Sequence, residues 1–168
     1  MIKQGLLAAA IAFTALTAQA AQGDAMDKVT AKEQMSTWDI GQANTAYAKY
    51  FIGDSYLNPY KASQIGISNV TFDPGCRNNW HIHHKAEQTL VVVSGLGIYQ
   101  EWGKDPVLLK PGMVVAIPPE VKHYHGAIAD SYMQHLSITA NGIEGASNDW
   151  LEPVDDEAYK KAHQQLGL

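Results

Sequence analysis

Two pairs of histidines, His81/His83 and His123/His125, are each separated by a single residue, a spacing that can present two ligands to one metal ion. Chance placement of seven histidines in 168 residues gives roughly a quarter of one such pair. In an extended strand, side chains two residues apart point to the same face, so each pair aims two imidazoles into one volume. Neutral imidazoles converging from two strands suit a first-row transition metal. His125 shares its face with His123, and His135 lies on a β-prone run with Met133 and Ser137 on its own face. Either could act as a general base, because imidazole titrates near neutral pH. His84 should point away from the first pair, and His163 falls in the C-terminal tail. The chain has no Gly-rich phosphate loop, no Ser-centred nucleophile elbow and no Cys-x-x-Cys pair, which leaves nucleotide, acyl-enzyme and dithiol chemistry without support.

Strands are what must position these side chains, and the sequence supplies them. Turn signals at Asp73-Pro74-Gly75, Ser94-Gly95-Leu96-Gly97, Gly103-Lys104-Asp105-Pro106 and Lys110-Pro111-Gly112 separate short β-prone runs. The runs are predicted over 65–72, 80–83, 88–93, 98–102, 107–110, 113–117 and 132–138. Short strands punctuated by Gly and Pro indicate an all-β sandwich or barrel. No intervening segment is long enough for a crossover helix, which argues against a parallel α/β sheet. Residues 21–45 read as a polar N-terminal arm with one short helix around 31–35, and 155–165 as a surface helix in a tail spanning 143–168. Trp80, Tyr99, Trp102, Tyr124 and Tyr132 read as packing and sheet-surface residues.

The spacing around the histidines resembles the cupin superfamily. Gly75, His81-Ile82-His83, Gln88 and Gly95 reproduce its first motif with one change, and Gly112, Pro118, Glu120 and His123 its second with another. The resemblance implies an all-β cupin jelly-roll barrel over 46–142 that holds one divalent transition metal. The runs Gly75-Cys76-Arg77-Asn78-Asn79-Trp80, Gln88-Thr89-Leu90, Tyr99-Gln100-Glu101-Trp102-Gly103, His123-Tyr124-His125-Gly126 and His135-Leu136 are similar to a narrower bacterial group. That group is often labelled carboxymuconolactone decarboxylase-like and includes manganese-dependent hydroxynitrile lyases with three His and one Gln on the metal. Carried over position by position, the resemblance implies His81, His83, Gln88 and His123 as ligands. Manganese is the first expectation, with iron, zinc, nickel and copper as alternatives. It also implies a small-molecule substrate and a homodimer formed through an extra N-terminal strand, for which 47–52 is the candidate.

Two positions depart from the motifs. The usual fourth ligand of the first motif is Glu; counting to Gly95 selects Gln88, with Glu87 beside it. Pleat parity does not decide between them: Leu90 and Val92 would face inward with Gln88, and Thr89, Val91 and Val93 with Glu87. Glu120 stands where the second motif has Gly, which puts the turn geometry there in question.

The beginning of the chain reads as a leader. Lys3, an apolar run over 5–16 and the Ala18-Gln19-Ala20 site form a secretory signal, so the mature chain is expected to begin near Ala21 and to be secreted or periplasmic, without membrane insertion. The formal net charge is −5, and cleavage removes one lysine more. An acidic chain of this kind excludes nucleic acid and anionic lipid surfaces as partners. Cys76 is the only cysteine, so no disulfide can form within the chain. The expected activity is metal-assisted lyase chemistry. A dioxygenase using the same site and a non-catalytic metal- or ligand-binding barrel are the alternatives.

Overall fold

Gly- and Pro-marked turns cut residues 36–168, which the computed structural model describes, into thirteen short strands and one α-helix. The leader and the short helix expected at 31–35 lie outside the described residues. The strands are β1 (Gln42–Ala43), β2 (Phe51–Ile52), β3 (Ser55–Tyr60), β4 (Ile65–Phe72), β5 (Arg77–Asn78), β6 (His81–His84) and β7 (Gln88–Gly95). They continue as β8 (Gly97–Glu101), β9 (Val107–Leu109), β10 (Val114–Ile117), β11 (His123–Ala127), β12 (Met133–Ala140) and β13 (Ser147–Trp150). The helix, α1, is Asp156–Leu166.

Two antiparallel sheets result, the jelly-roll arrangement expected. The first runs β1-β3-β4-β12-β7-β10. In the second, β11 is the hub: β8 and then β9 lie on one side, and β5 and β6 pair with opposite ends of its other side. The edges of this sheet are β13, paired with β6, and β2, paired with β5. Phe72, Leu90, Val92, Leu109, Ile117 and Met133, each at most 1% exposed, fill the space between the sheets. Each such side chain stabilises the fold by about 1.5–3 kcal/mol relative to exposure. Cys76 is fully buried with them, and burial raises its thiol pKa, so it is a packing residue rather than a reactive thiolate.

Several features differ from the sequence expectation. Within 47–52, residues 48–50 form a 3₁₀ turn, and only Phe51–Ile52 is extended. That short strand pairs with β5 of the same chain and forms an edge of the second sheet. Strand β3 carries Pro59, which the register tolerates beside Ser68, and β13 was not legible as a strand at all. Glu120 does take the left-handed conformation that its Gly-like place demands, at φ 67°. Its carboxylate accepts from the Lys85 amide at 3.1 Å and from His84 Nδ1 at 2.6 Å, contacts that offset a strain of about 1–2 kcal/mol.

Helix α1 is stopped and started by local chemistry. Asp155 caps it by accepting from the Ala158 amide, and Gly167 ends it at φ 75°. It docks through Tyr159 and Ala162 onto a second apolar cluster with Trp80, Ile98, Tyr124, Ile128 and Val154. Arg77 binds the docked segment: Nε donates to the Val154 carbonyl at 3.0 Å, Nη2 pairs with Asp156 at 2.6 Å, and the guanidinium lies 4.4 Å from the Tyr159 ring centre. The Arg77 side chain is 5% exposed and that of Asp156 is 96% exposed. Arg77→Ala is therefore expected to cost roughly 3 kcal/mol, because it orphans a buried carbonyl and opens a void under Tyr159. Asp156→Ala is expected to cost less than about 1 kcal/mol, the ordinary worth of a solvent-facing ion pair. Paired urea melts read both.

Candidate metal centre

Strands β6 and β11 lie side by side with His81 opposite His123, and the pleat turns His81, His83, His123 and His125 to the inner face. The ligand nitrogens of His81, His83 and His123 all lie within 4.8 Å of one another, and all three residues are buried. Gln88, the first residue of β7, reaches the same point from the opposite sheet: its Oε1 is 3.1 Å from His123 Nε2. Its amide nitrogen donates to Ser137 Oγ at 3.0 Å. Glu87 faces solvent, where its carboxylate accepts from the Thr89 hydroxyl. The parity left open by the sequence thus places Gln88 inside and Glu87 outside. Gln88→Ala is expected to weaken cation affinity by about 10–100-fold or more, and Glu87→Ala to leave it unchanged, as Mn²⁺ or Co²⁺ titrations would show.

Hydrogen bonds at the back of the rings fix their tautomers. His81 Nδ1 donates to the Asn79 carbonyl at 3.0 Å, and His123 Nδ1 to the Val121 carbonyl at 2.9 Å. Both Nε2 lone pairs are thereby left pointing inward. The inward Nε2 of His83 is buried without a partner. His123 Nε2 and Gln88 Oε1, as placed, are two acceptors facing each other. Buried acceptors that meet with no donor between them are costly in a protein interior. A single cation satisfies all of them at once, so the residues present fit a divalent transition metal.

Electrostatics agree with that reading. Burial lowers the pKa of His81 well below its ordinary value, with the neighbouring His123 and His83 adding to the shift. Burial also lowers His83, and it brings His123 down to about 4. All three rings are neutral at pH 7 and need give up no proton to coordinate. No Asp, Glu, Lys or Arg lines the adjoining cavity of about 200 Å³, so His and Gln ligands would leave a dication's charge uncompensated.

His125 and His135 line the same cavity. His125, 3% exposed, has its amide on Asn78 Oδ1 at 2.9 Å and its ring against Asn78 Nδ2, and its ring centre is 5.5 Å from that of His81. His135 is fully buried, neither ring nitrogen has a partner, and its ring centre is 4.8 Å from that of His125. Burial lowers both pKa values, that of His135 to about 4. The remaining two histidines lie elsewhere. His84 pairs with Glu120 and Asp149 on the surface, while His163 Nε2 accepts from the Ala129 amide and ties α1 to the loop after β11.

Sequence reasoning missed three residues of this site. Asn78 was visible only as part of a motif run. Asn148 faces His83 from β13, and Trp150, on the same strand, stacks on the His81 ring at 4.7 Å between centres. Neither sits in a run with strand-like alternation, so no local signal marked them.

Comparison with known proteins places this geometry in context. A family model described as Cupin domain matches residues 68–139. The chain is 37% identical over 118 residues to an (R)-mandelonitrile lyase of Granulicella tundricola, an alignment covering 68% of this chain and 88% of that protein. It is 39% identical over 106 residues to an acireductone dioxygenase of Bacillus pumilus, covering 58% of this chain and 60% of the other. Among solved structures, a cupin-like protein of Thermotoga maritima superposes with a TM-score of 0.69 at 33% identity, over 76% of this chain and 97% of that one.

Proposed function

Since the chain belongs to the cupin superfamily, we propose that it is an exported, metal-dependent enzyme that cleaves a small polar organic molecule by lyase-type chemistry. The observation that carries this reading is the convergence of three inward imidazole nitrogens and the Gln88 amide oxygen on an uncharged cavity. His81, His83, Gln88 and His123 would hold the metal, manganese first among the candidates. A bound divalent cation supplies Lewis acidity towards a substrate oxygen or a departing anion.

The protein's own groups supply the rest. The cavity, at about 200 Å³, is smaller than the roughly 300–1,000 Å³ of drug-sized sites, so the substrate is small. His125 and His135 are neutral at pH 7 and stand within it as proton acceptors. The name of the Granulicella relative suggests a 2-hydroxynitrile as the first compound to offer. Its hydroxyl proton would pass to a histidine as the carbon–carbon bond breaks; the bonding electrons leave with the nitrile carbon as cyanide, and a carbonyl forms. The proton then returns to cyanide, so atoms and charge balance. Asn78 holds the His125 backbone and ring in place for that transfer.

Export rests on the N-terminal leader, and N-terminal sequencing of protein recovered from the periplasm should begin at Ala21. Metal taken up outside the cytoplasm would follow availability there, so zinc or copper would compete with manganese. The decisive assay offers mandelonitrile to manganese-loaded protein while cyanide, benzaldehyde and dissolved oxygen are followed together. Cyanide release without oxygen uptake supports the lyase. Oxygen uptake with any substrate would favour a dioxygenase, the reading that the Bacillus relative suggests. A fully loaded protein inert in both assays would point to a binding module.

A further inference from the structure

We propose that His83 is the ligand that swings to admit and release the ion, with Asn148 on β13 as the side chain that holds it closed. The inference rests on the metal centre proposed above and concerns how that centre is loaded. Its three imidazoles are not held alike. His81 and His123 each donate from Nδ1 to the carbonyl two residues before them, at 3.0 and 2.9 Å, and are 1% and 0% exposed. Trp150 also stacks on the His81 ring. His83 is 7% exposed, and among the described residues no main-chain carbonyl accepts from its ring. Its polar partners are two side chains: Gln88, itself placed as a ligand, and Asn148, which lies directly opposite it across the β6–β13 pair. Residues opposite each other in an antiparallel pair share a face, so the Asn148 amide stands beside the His83 ring. Asn148 is exposed, on a strand at the edge of its sheet. A hydrogen bond there opens more readily than one to a buried carbonyl, because water can replace the lost partner.

The ring also has room to move. A second cavity, of about 220 Å³, shares His83, Thr139 and Asn148 with the metal cavity, and its other walls include Ala86, Ala140 and Ala146. Neither His81 nor His123 lines it. Methyl-sized side chains leave that space open, and a ring turning between staggered rotamers can enter it. With His83 turned away, His81, Gln88 and His123 stay in place as a three-donor site that an ion arriving through the second cavity can reach. Return of His83 to Asn148 then closes the fourth position. A chain that meets its metal only after export and folding, as proposed above, needs a route of this kind.

Stopped-flow uptake of Co²⁺ by the metal-free mature chain, and its release to excess EDTA, test this. Asn148→Ala frees the ring and should speed release about 10–100-fold, the usual cost of losing a ligand's supporting partner. Asn148→Asp keeps an acceptor and should release no faster than wild type. Ala146→Phe fills the second cavity from an exposed position. It should slow uptake and release alike by about 10-fold and leave Kd nearly unchanged, because raising one barrier slows both directions equally. Ala140→Phe, on another wall of that cavity, serves if Ala146→Phe fails to fold. General loosening of the fold would speed release in every variant, so the opposite signs at Asn148 and Ala146 separate a route from a loss of stability. A wild type that binds no Co²⁺ removes the metal centre and this inference with it. A wild type that binds Co²⁺, with release unchanged by Asn148→Ala or exchange unslowed by a filled cavity, overturns the route alone and leaves the centre standing.

Discussion

Alanine at both His81 and His123 is expected to abolish stoichiometric binding of a divalent cation and leave a folded, inactive barrel. The two residues face each other across β6 and β11, and each is locked by a carbonyl behind it with its Nε2 turned inward. Removing both leaves His83 and Gln88, too few to retain an ion through dialysis. The loss in affinity should far exceed the ~10–100-fold typical of changes to a ligand's supporting partners. Elemental analysis of wild type and variant, side by side, reads it directly. Thermal melts supply a second readout that needs no substrate. A cation at 100 times its Kd stabilises the native state by about 2.7 kcal/mol, worth roughly 10 °C for a domain of this size. Wild type should show that rise with Mn²⁺ and the double variant should not. A wild type that neither retains metal nor gains stability from it would leave the barrel as a ligand-binding module and remove the basis for metal-assisted cleavage.

How far the site was legible follows from where its information lies. His81 and His83, or His123 and His125, are two apart on single strands, so their convergence needs only the period of the pleat. Helix α1 was similarly local, with Asp155 at its start and Gly167 at its end. Motif spacing to Gly95 selected Gln88 over Glu87, but pleat parity could not, because β7 is apolar on both faces and only burial against the opposite sheet shows which face is inside. Strand β3 was hidden by Asn58 and Pro59, residues that single-strand propensity disfavours but an antiparallel neighbour can hold. Strand β13 was hidden for the same reason by Ser147, Asn148 and Asp149; its existence depends on β6, some 65 residues earlier. What local pattern carries could be read, and what only a partner strand imposes could not. The outlying strand β13 is the costly omission, since it brings Asn148 to His83 and Trp150 to His81.

The same buried histidines should make the metal-free protein acid-labile between about pH 6.5 and 4. Unfolded, each ring titrates near 6.5; folded, His123 and His135 are brought down to about 4, and burial lowers His81, His83 and His125 as well. Above 6.5 both states hold the rings neutral, and pH changes nothing through them. Between 6.5 and 4 the unfolded chain takes protons that the native state refuses, so stability falls as pH falls; below about 4 the loss from His123 and His135 levels off. Each ring contributes up to roughly 1.4 kcal/mol per pH unit, against a total stability of about 5–15 kcal/mol for a typical domain. Unfolding within two to three pH units is the expected result. His84 has the opposite sign, its pKa raised by Glu120 and Asp149, but it is exposed and does not reverse the trend. Bound Mn²⁺ should move the transition to lower pH, since coordinated nitrogens must lose the metal before they can be protonated. His135 separates stability from function. It is fully buried with both nitrogens unpartnered, so His135→Leu removes one acid-sensitive group without leaving a partner orphaned. That variant should take up one proton fewer on acid unfolding, resist pH 5 better than wild type, and lose the proposed cleavage activity. If it instead unfolds at the wild-type pH and keeps full activity, His135 is neither the acid-sensitive group nor the proton acceptor.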